Sequence, residues 1–355
     1  MNSIGSGSRH GSATATHFSP ATRFFVTNSS DSIADVLIVG AGMSGMAAAS
    51  DLVRAGRKVL VVDKGRGIGG RMATRRVGEA VFDHGAQFIT ARSLRFLDHL
   101  QQWSEQGVVK EWCRGFSVGA QGNPRWRGNP SMPAVPRHLA QGVDVFLESA
   151  ITSIARDGDY WKASLHQGGT ITSRAVLLTA PVPQSLALLD AGQVELPAAL
   201  RSRLDAIEYE RCLAVLAVLG GPSQLLPPGG IAFDSGPLAW IGDNQLKGIS
   251  PVPCVTLHAS HAFSLEKWGG DRQKAALELL QAAAAWIGTH VTDFQVHGWL
   301  YSKPQQVDPN PCAVLHEMPP LILAGDAFAG PKVEGAALSG WAAADVLLGS
   351  TTHPS

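Results

Sequence analysis

Apolar residues in this chain recur in two patterns, short unbroken runs near its two ends and alternation in between. Residues 36–39, VLIV, form an unbroken run of the kind seen when a parallel sheet buries both faces of a strand. An alanine-rich stretch at 47–55 then favours helix, Gly56 stops it, and residues 58–62 make a second strand ending at Asp63. Leu94, Leu97, Leu100 and Trp103 recur at helical spacing and predict a helix over 94–112, followed by a strand-like stretch to Val118. A proline-rich loop at 124–140 leads into a short helix at 136–141. Alternation then takes over from Val143 to Ala180, with a hairpin turn at Asp157-Gly158, and residues 176–180 rejoin the first strands. Beyond this lie a helix near 196–205, strands at 212–219, 231–234, 238–241 and 253–259, a helix at 271–287 and a strand at 296–304. The segment 321–348 repeats the opening pattern: apolar strand, Gly325-Asp326, loop, and an alanine-rich helix from about Val333.

The turn after the first strand carries chemistry. Gly40, Gly42 and Gly45 make G-x-G-x-x-G between a strand and a helix. The first glycine permits the tight turn, the second lets backbone approach a pyrophosphate, and the third lets helix pack on strand. The helix start offers free N–H groups to phosphate. Asp63 can accept hydrogen bonds from ribose hydroxyls, and Lys64 follows it. This unit binds a dinucleotide; alone it leaves NAD and FAD both open.

Two loops extend the reading. KGRGIGGRMATRR, directly after Asp63, combines Gly69-Gly70 with Arg71, whose forked guanidinium suits a pyrophosphate. FDHGAQFITARS, residues 82–93, sets Gln87 and Phe88 where an amide and an apolar ring can meet a planar cofactor; a half-buried strand explains it equally well. The second strand-and-helix unit at 321–348 suits an extended FAD better than NAD. Asp326 there is placed for a ribityl hydroxyl or phosphate, and the helix start for negative charge on a reduced flavin. No Ser/His/Asp or Cys/His constellation is evident, and His258 and His261 lack further ligands at metal spacing.

Composition narrows the classes. Lys plus Arg and Asp plus Glu number 29 each, which argues against nucleic acid or an anionic membrane as the main partner. No run of eighteen apolar residues appears. Cys113, Cys212, Cys254 and Cys312 are widely spaced and read as thiols of a reducing compartment, so a cytoplasmic location is expected. Residues 1–34, rich in Ser, Thr and Gly, read as a disordered extension rather than a targeting segment.

GAGMSG, DKGRGIGGRMATRR, FDHGAQFITARS, NPSMPAVPRHLA, APVPQ, HGWLY and AGDAFAGPKVEGAALSGWAAAD together resemble the renalase family, within the amine-oxidase-like FAD flavoproteins, over residues 35–348. The expected fold is α/β, a Rossmann-type FAD-binding domain (35–93, 143–183 and 321–349) interleaved with an α+β substrate domain (94–142 and 184–320) carrying an antiparallel sheet. The resemblance implies noncovalent FAD and oxidation of misreduced NAD(P)H isomers to NAD(P)+, with O2 reduced to hydrogen peroxide. It implies FAD contacts at Met43, Asp63, Arg71, Gln87, Phe88, Ile151, Asp326 and Val333. It implies a substrate border at Phe88, Ile89, Thr90, Ala91, Arg92, Tyr301 and Lys332. The chain departs from the family pattern at Lys332, where arginine is expected, and at Ala327, where an aromatic is expected. An amine oxidase or desaturase is the alternative; it would need an aromatic cage and a lysine near the flavin, for which Lys303 and Lys332 are the candidates.

Overall fold

The structure is a computed structural model that describes residues 33–117 and 119–349. The reading of 1–34 as an extension falls outside the described residues up to residue 32, and Ala34 already belongs to the first strand.

The opening unit forms as the apolar pattern requires: β1 (Ala34–Val39), α1 (Met43–Arg54) and β2 (Val59–Val62). Leu37 and Ile38, on opposite faces of β1, are both fully buried, each contributing about 1.5–3 kcal/mol. A hairpin of β3 (Thr74–Val77) and β4 (Ala80–Asp83) follows, then α2 (Leu94–Glu105) and the paired strands β5 (Val109–Cys113) and β6 (Arg125–Gly128). Ser93 caps α2 by accepting from the Phe96 N–H. The helix expected to run to 112 ends at Glu105, because Gly107 takes φ +72° and turns the chain into β5. The short helix α3 (Ala134–Leu139) begins two residues earlier than its prolines suggest. Next come β7 (Asp144–Phe146), β8 (Ile151–Asp157), β9 (Tyr160–Leu165) and β10 (Thr170–Leu178). α4 (Val182–Ala191) and α5 (Ala198–Asp205) lead to β11 (Tyr209–Leu219), β12 (Gly230–Ala232), β13 (Leu238–Asp243) and β14 (Cys254–Ala259). The chain closes with α6 (His261–Lys267), α7 (Arg272–Ala282), α8 (Ala284–Ile287), β15 (Val291–Pro304), β16 (Ala313–His316), β17 (Leu321–Leu323) and α9 (Lys332–Gly349). The single helix expected over 271–287 is two, separated at Ala283.

Two sheets organise these elements. The first runs β16-β17-β10-β1-β2-β7, with β17, β10, β1, β2 and β7 parallel, and β8 and β9 joining antiparallel through β10. The second, β12-β13-β14-β11-β15, is antiparallel throughout. The chain therefore brings its first and last strand-helix units into one sheet. α2 and α3, expected on the substrate side, share one apolar core with α1 and α9 through Phe96, Leu100, Trp103, Val135 and Leu139.

α1 and α9 meet backbone to backbone. A Cβ on Gly340 would stand 2.2 Å from the Ser44 carbonyl oxygen, so only glycine fits there. Replacing Gly340 with alanine is expected to push the helices apart and lower the unfolding free energy by about 1–3 kcal/mol. A thermal melt reads this as a lower midpoint; an unchanged midpoint would mean that the close approach carries no stability.

Candidate active site

At the N-terminus of α1, Gly40 takes φ +117°, and a Cβ on Gly45 would stand 2.0 Å from the Gly40 carbonyl oxygen. Gly42, the N-cap residue, makes no side-chain cap, has no acidic neighbour in the first turn, and has open space where a Cβ would point. Free N–H groups at an uncapped helix start beside open space fit a pyrophosphate. The second glycine loop closes over the first, with Gly42 Cα 3.2 Å from where a Gly70 Cβ would be. Asp63 at the end of β2 accepts from the Ala41 N–H and the Gly65 N–H, both at 2.6 Å, which locks both loops and leaves further lone pairs for ribose hydroxyls. Lys64 reaches Gln184 at 3.1 Å on the rim. Ile151, half-buried, starts β8 two residues after Ser149, whose N–H donates to the Asp63 carbonyl oxygen.

Arg71 and Asp326, expected to contact cofactor separately, are joined. The guanidinium donates to both Asp326 carboxylate oxygens at 2.7 Å, and also to the backbone oxygens of Tyr301 and Ser302. Burial works against the Arg71 charge, but Asp326 and then Tyr209 offset it and hold the group above its usual range. Burial, then Asp326, pushes the Tyr209 hydroxyl up to about 12, and its ring meets Tyr301 edge-on at 5.5 Å. Arg71 thus links the first nucleotide unit to the last.

Asp83 closes β4 with its carboxylate wholly buried. It accepts from Lys247 Nζ at 2.7 Å, Thr74 Oγ1 at 2.5 Å and the Met132 N–H at 3.1 Å. Lys247 is itself 1% exposed; burial lowers its pKa, and Asp83 partly offsets that. The Asp83 carbonyl accepts from Gln87 Nε2 and Thr256 Oγ1. Beside it, the His84 carbonyl accepts from Trp299 Nε1 and His258 Nε2. Burial first, then His297, depresses the His84 imidazole to about 3, and burial leaves His258 and His297 at about 4. These rings are neutral at physiological pH and too weakly basic to carry protons. His261 turns elsewhere, its Nδ1 accepting from the Arg211 N–H.

Phe88 belongs to an aromatic box with Trp112, Phe116 and Trp240, ring centroids 4.7–6.3 Å apart. The Arg125 guanidinium lies 4.8 Å from the Phe116 ring and 5.7 Å from Phe88, and Lys247 Nζ lies 5.3 Å from Trp112. Ile89 departs from expectation: its side chain is fully buried in the core and its backbone pairs with Trp126, so it faces no substrate. Thr90 and Ala91 are half-buried and Arg92 is exposed. The N–H groups of Arg92 and Ser93 both donate to Glu334 in the first turn of α9, tying this segment to that helix. Lys332 starts α9 with φ +81°, a left-handed geometry for a non-glycine residue. Met43 and Val333 are buried at the starts of α1 and α9. Lys303 is exposed and paired with Glu210.

Sequence reasoning missed Lys247, Trp240, Trp112, Phe116 and Arg125. Only the DNQLKG stretch after a strand, a lysine among turn residues, hinted at the first.

The NAD(P)-binding Rossmann-like domain family matches residues 38–102, and the flavin containing amine oxidoreductase family matches residues 94–348. Renalase from Mus musculus is 26% identical over 336 residues, which cover 88% of this chain and 98% of the mouse protein. A putative protoporphyrinogen oxidase from Exiguobacterium sp. 255-15 superposes with a TM-score of 0.67 at 12% identity, covering 88% of this chain and 98% of that one. Putrescine oxidase bound to putrescine gives 0.66 at 14% identity, covering 89% and 99%. These structures share the fold.

Removing Lys247 strands a buried carboxylate. Lys247→Met is expected to cost about 3–5 kcal/mol, and the double variant Lys247→Met/Asp83→Asn less than that single change. Denaturant titration of the three proteins checks the order; a Lys247→Met variant as stable as wild type would contradict it.

Proposed function

Because the chain belongs to the flavin containing amine oxidoreductase family and is an FAD-dependent oxidoreductase, we propose that it oxidises misreduced dihydronicotinamide dinucleotides, NAD(P)H isomers with hydrogen on the wrong ring carbon, to NAD(P)+. When bound, FAD supplies a two-electron hydride acceptor at N5 and passes the electrons to O2, so that substrate, O2 and one proton give NAD(P)+ and hydrogen peroxide.

The observation that carries this reading is the charge already inside the aromatic box. A cage built for an ammonium substrate needs aromatic faces free of cations. Here the Arg125 guanidinium covers Phe88 and Phe116, while the charge of Lys247 near Trp112 is taken up by Asp83. Such a box repels an amine cation and suits a flat, neutral ring on an anionic dinucleotide. Removing hydride from a dihydropyridine takes no O–H or N–H proton, so the depressed imidazoles of His84, His258 and His297 are compatible with the reaction. The rate would come from positioning.

In this reading Gly40, Gly42, Met43 and Gly45 hold the pyrophosphate at α1, and Asp63, with Lys64 beside it, holds the ribose. Ile151 borders the adenine end. Arg71 and Asp326 hold the middle of the cofactor, and Gln87, Phe88 and Val333 its ring. Phe88, Thr90, Ala91, Arg92, Tyr301 and Lys332 border the substrate. An amine oxidase or desaturase is the second reading, favoured by the presence of any aromatic cage at all.

Anaerobic stopped-flow absorbance separates them. The FAD-loaded protein is expected to lose its yellow absorbance within seconds with isomeric dihydro-NAD, and far more slowly with NADH or with putrescine. Fast bleaching by putrescine alone would sink the dinucleotide reading.

A further inference from the structure

Two buried polar atoms beside the aromatic box have no partner. Trp240 is 6% exposed and Gln87 7% exposed. Neither Trp240 Nε1 nor Gln87 Oε1 makes a hydrogen bond among the described residues. The indole N–H can only donate. The Gln87 amide has a fixed sense as well: its Nε2 donates to the carbonyls of Asp83 at 2.6 Å and Gly85 at 3.1 Å. A flipped amide would set its oxygen against two carbonyl oxygens, so Oε1 is the free end. The two atoms lie near one another beside Gly242. A Cβ on Gly242 would stand 2.7 Å from Trp240 Nε1 and 3.3 Å from Gln87 Oε1, so both atoms crowd the same side of the Gly242 backbone, and only glycine at 242 lets them approach it together. Trp240 and Gly242 are two apart on β13 and share a face.

A lone donor and a lone acceptor, both desolvated and side by side, are costly unless a ligand completes them. Their complement is an amide edge: a carbonyl to accept from the indole, and an N–H to donate to the glutamine oxygen. We propose that Trp240 and Gln87 read the carboxamide of the dihydronicotinamide, Trp240 Nε1–H donating to its carbonyl oxygen and Gln87 Oε1 accepting from its NH2. This rests on the dinucleotide reading above and gives the free oxygen of Gln87 to the substrate, leaving its aliphatic stem beside the flavin ring. The pyrimidine edge of a flavin presents the same chemistry. The position of Trp240 favours the substrate, because besides Phe88 its ring packs against Trp112 and Phe116, which the reading above does not assign to the flavin. The pair would then decide specificity: a ring that lacks the NH2 leaves Gln87 Oε1 buried and unsatisfied.

The test compares isomeric dihydro-NAD with the same isomer of the 3-acetylpyridine dinucleotide, which keeps the carbonyl and lacks the NH2. The readout is anaerobic flavin bleaching, as the bleaching rate over the half-saturating concentration, with FAD retention measured beside it. Wild type is expected to favour the carboxamide by about ten- to a hundredfold. Trp240→Phe keeps the ring and loses the donor, so both substrates should fall about tenfold while FAD retention stays the same. Gln87→Leu should abolish the preference; if it fails to hold FAD, Trp240→Phe and the wild-type preference still decide. Equal handling of both substrates by wild type, with Trp240→Phe unchanged, overturns the inference and leaves the proposed function standing. Weakened FAD retention in Trp240→Phe, with no change in the substrate comparison, gives the amide edge to the flavin and also overturns it. If no isomer bleaches the flavin, the proposed function fails and this inference with it.

Discussion

The carboxylate of Asp83 has no exposure to water and cannot stay charged there alone. Its charge is matched by Lys247, which arrives just after β13 on the antiparallel sheet, and its remaining oxygen by Thr74 and the Met132 N–H. Its backbone oxygen takes Gln87 and Thr256. One residue therefore fastens the β3-β4 hairpin, the loop before α3 and the second sheet. Everything that follows it in sequence, from His84 to Phe88, inherits its position from that knot. Such a buried pair adds little net stability over apolar packing, but losing one partner is expensive. Together with the bonds from Trp299 and His258 to the His84 carbonyl and from the Ala86 N–H to the Arg71 carbonyl, it fixes the segment that carries Gln87 and Phe88.

Charge placement underlies the proposed chemistry. The nucleotide side is held by one further ion pair, Arg71 with Asp326, which joins the second glycine loop to the Gly-Asp turn near the chain's end. The other side holds Arg125 and Lys247 around aromatic faces, and the histidines between are neutral through burial. In the proposed reading, a guanidinium beside flat apolar faces and, among the described residues, imidazoles held neutral by burial suit hydride removal from an anionic dinucleotide.

Much of this was legible where the controlling interactions are local. The Gly40-Gly42-Gly45 turn, the strand before it and the helix after it are set within a few residues, and the structure forms them as the pattern requires. The same holds for Gly325-Asp326 with α9, and for the β8-β9-β10 hairpins. Local pattern failed where a single residue overrode it. Gly107 stops α2 at Glu105, short of the expected 112, and the Ile89–Trp126 ladder turns an expected substrate residue into core. Tertiary pairing was invisible. Lys247 lies 164 residues from Asp83, and Trp240 meets Phe88 only because β13 lies across from the loop after β4. Within 230–250 only the lysine among the turn residues of DNQLKG hints at a site, and nothing marks Trp240.

The central claim is that the box accepts a flat anionic ligand and refuses an ammonium. Equilibrium titration of the oxidised, FAD-loaded protein with 1,4,5,6-tetrahydro-NAD, a dinucleotide whose ring is uncharged and gives no hydride, and with putrescine, following the flavin absorbance at low and at high salt, tests it most directly. The account predicts a saturable spectral change with tetrahydro-NAD that weakens as salt rises, and none with putrescine. A saturable change with putrescine and none with tetrahydro-NAD would contradict it.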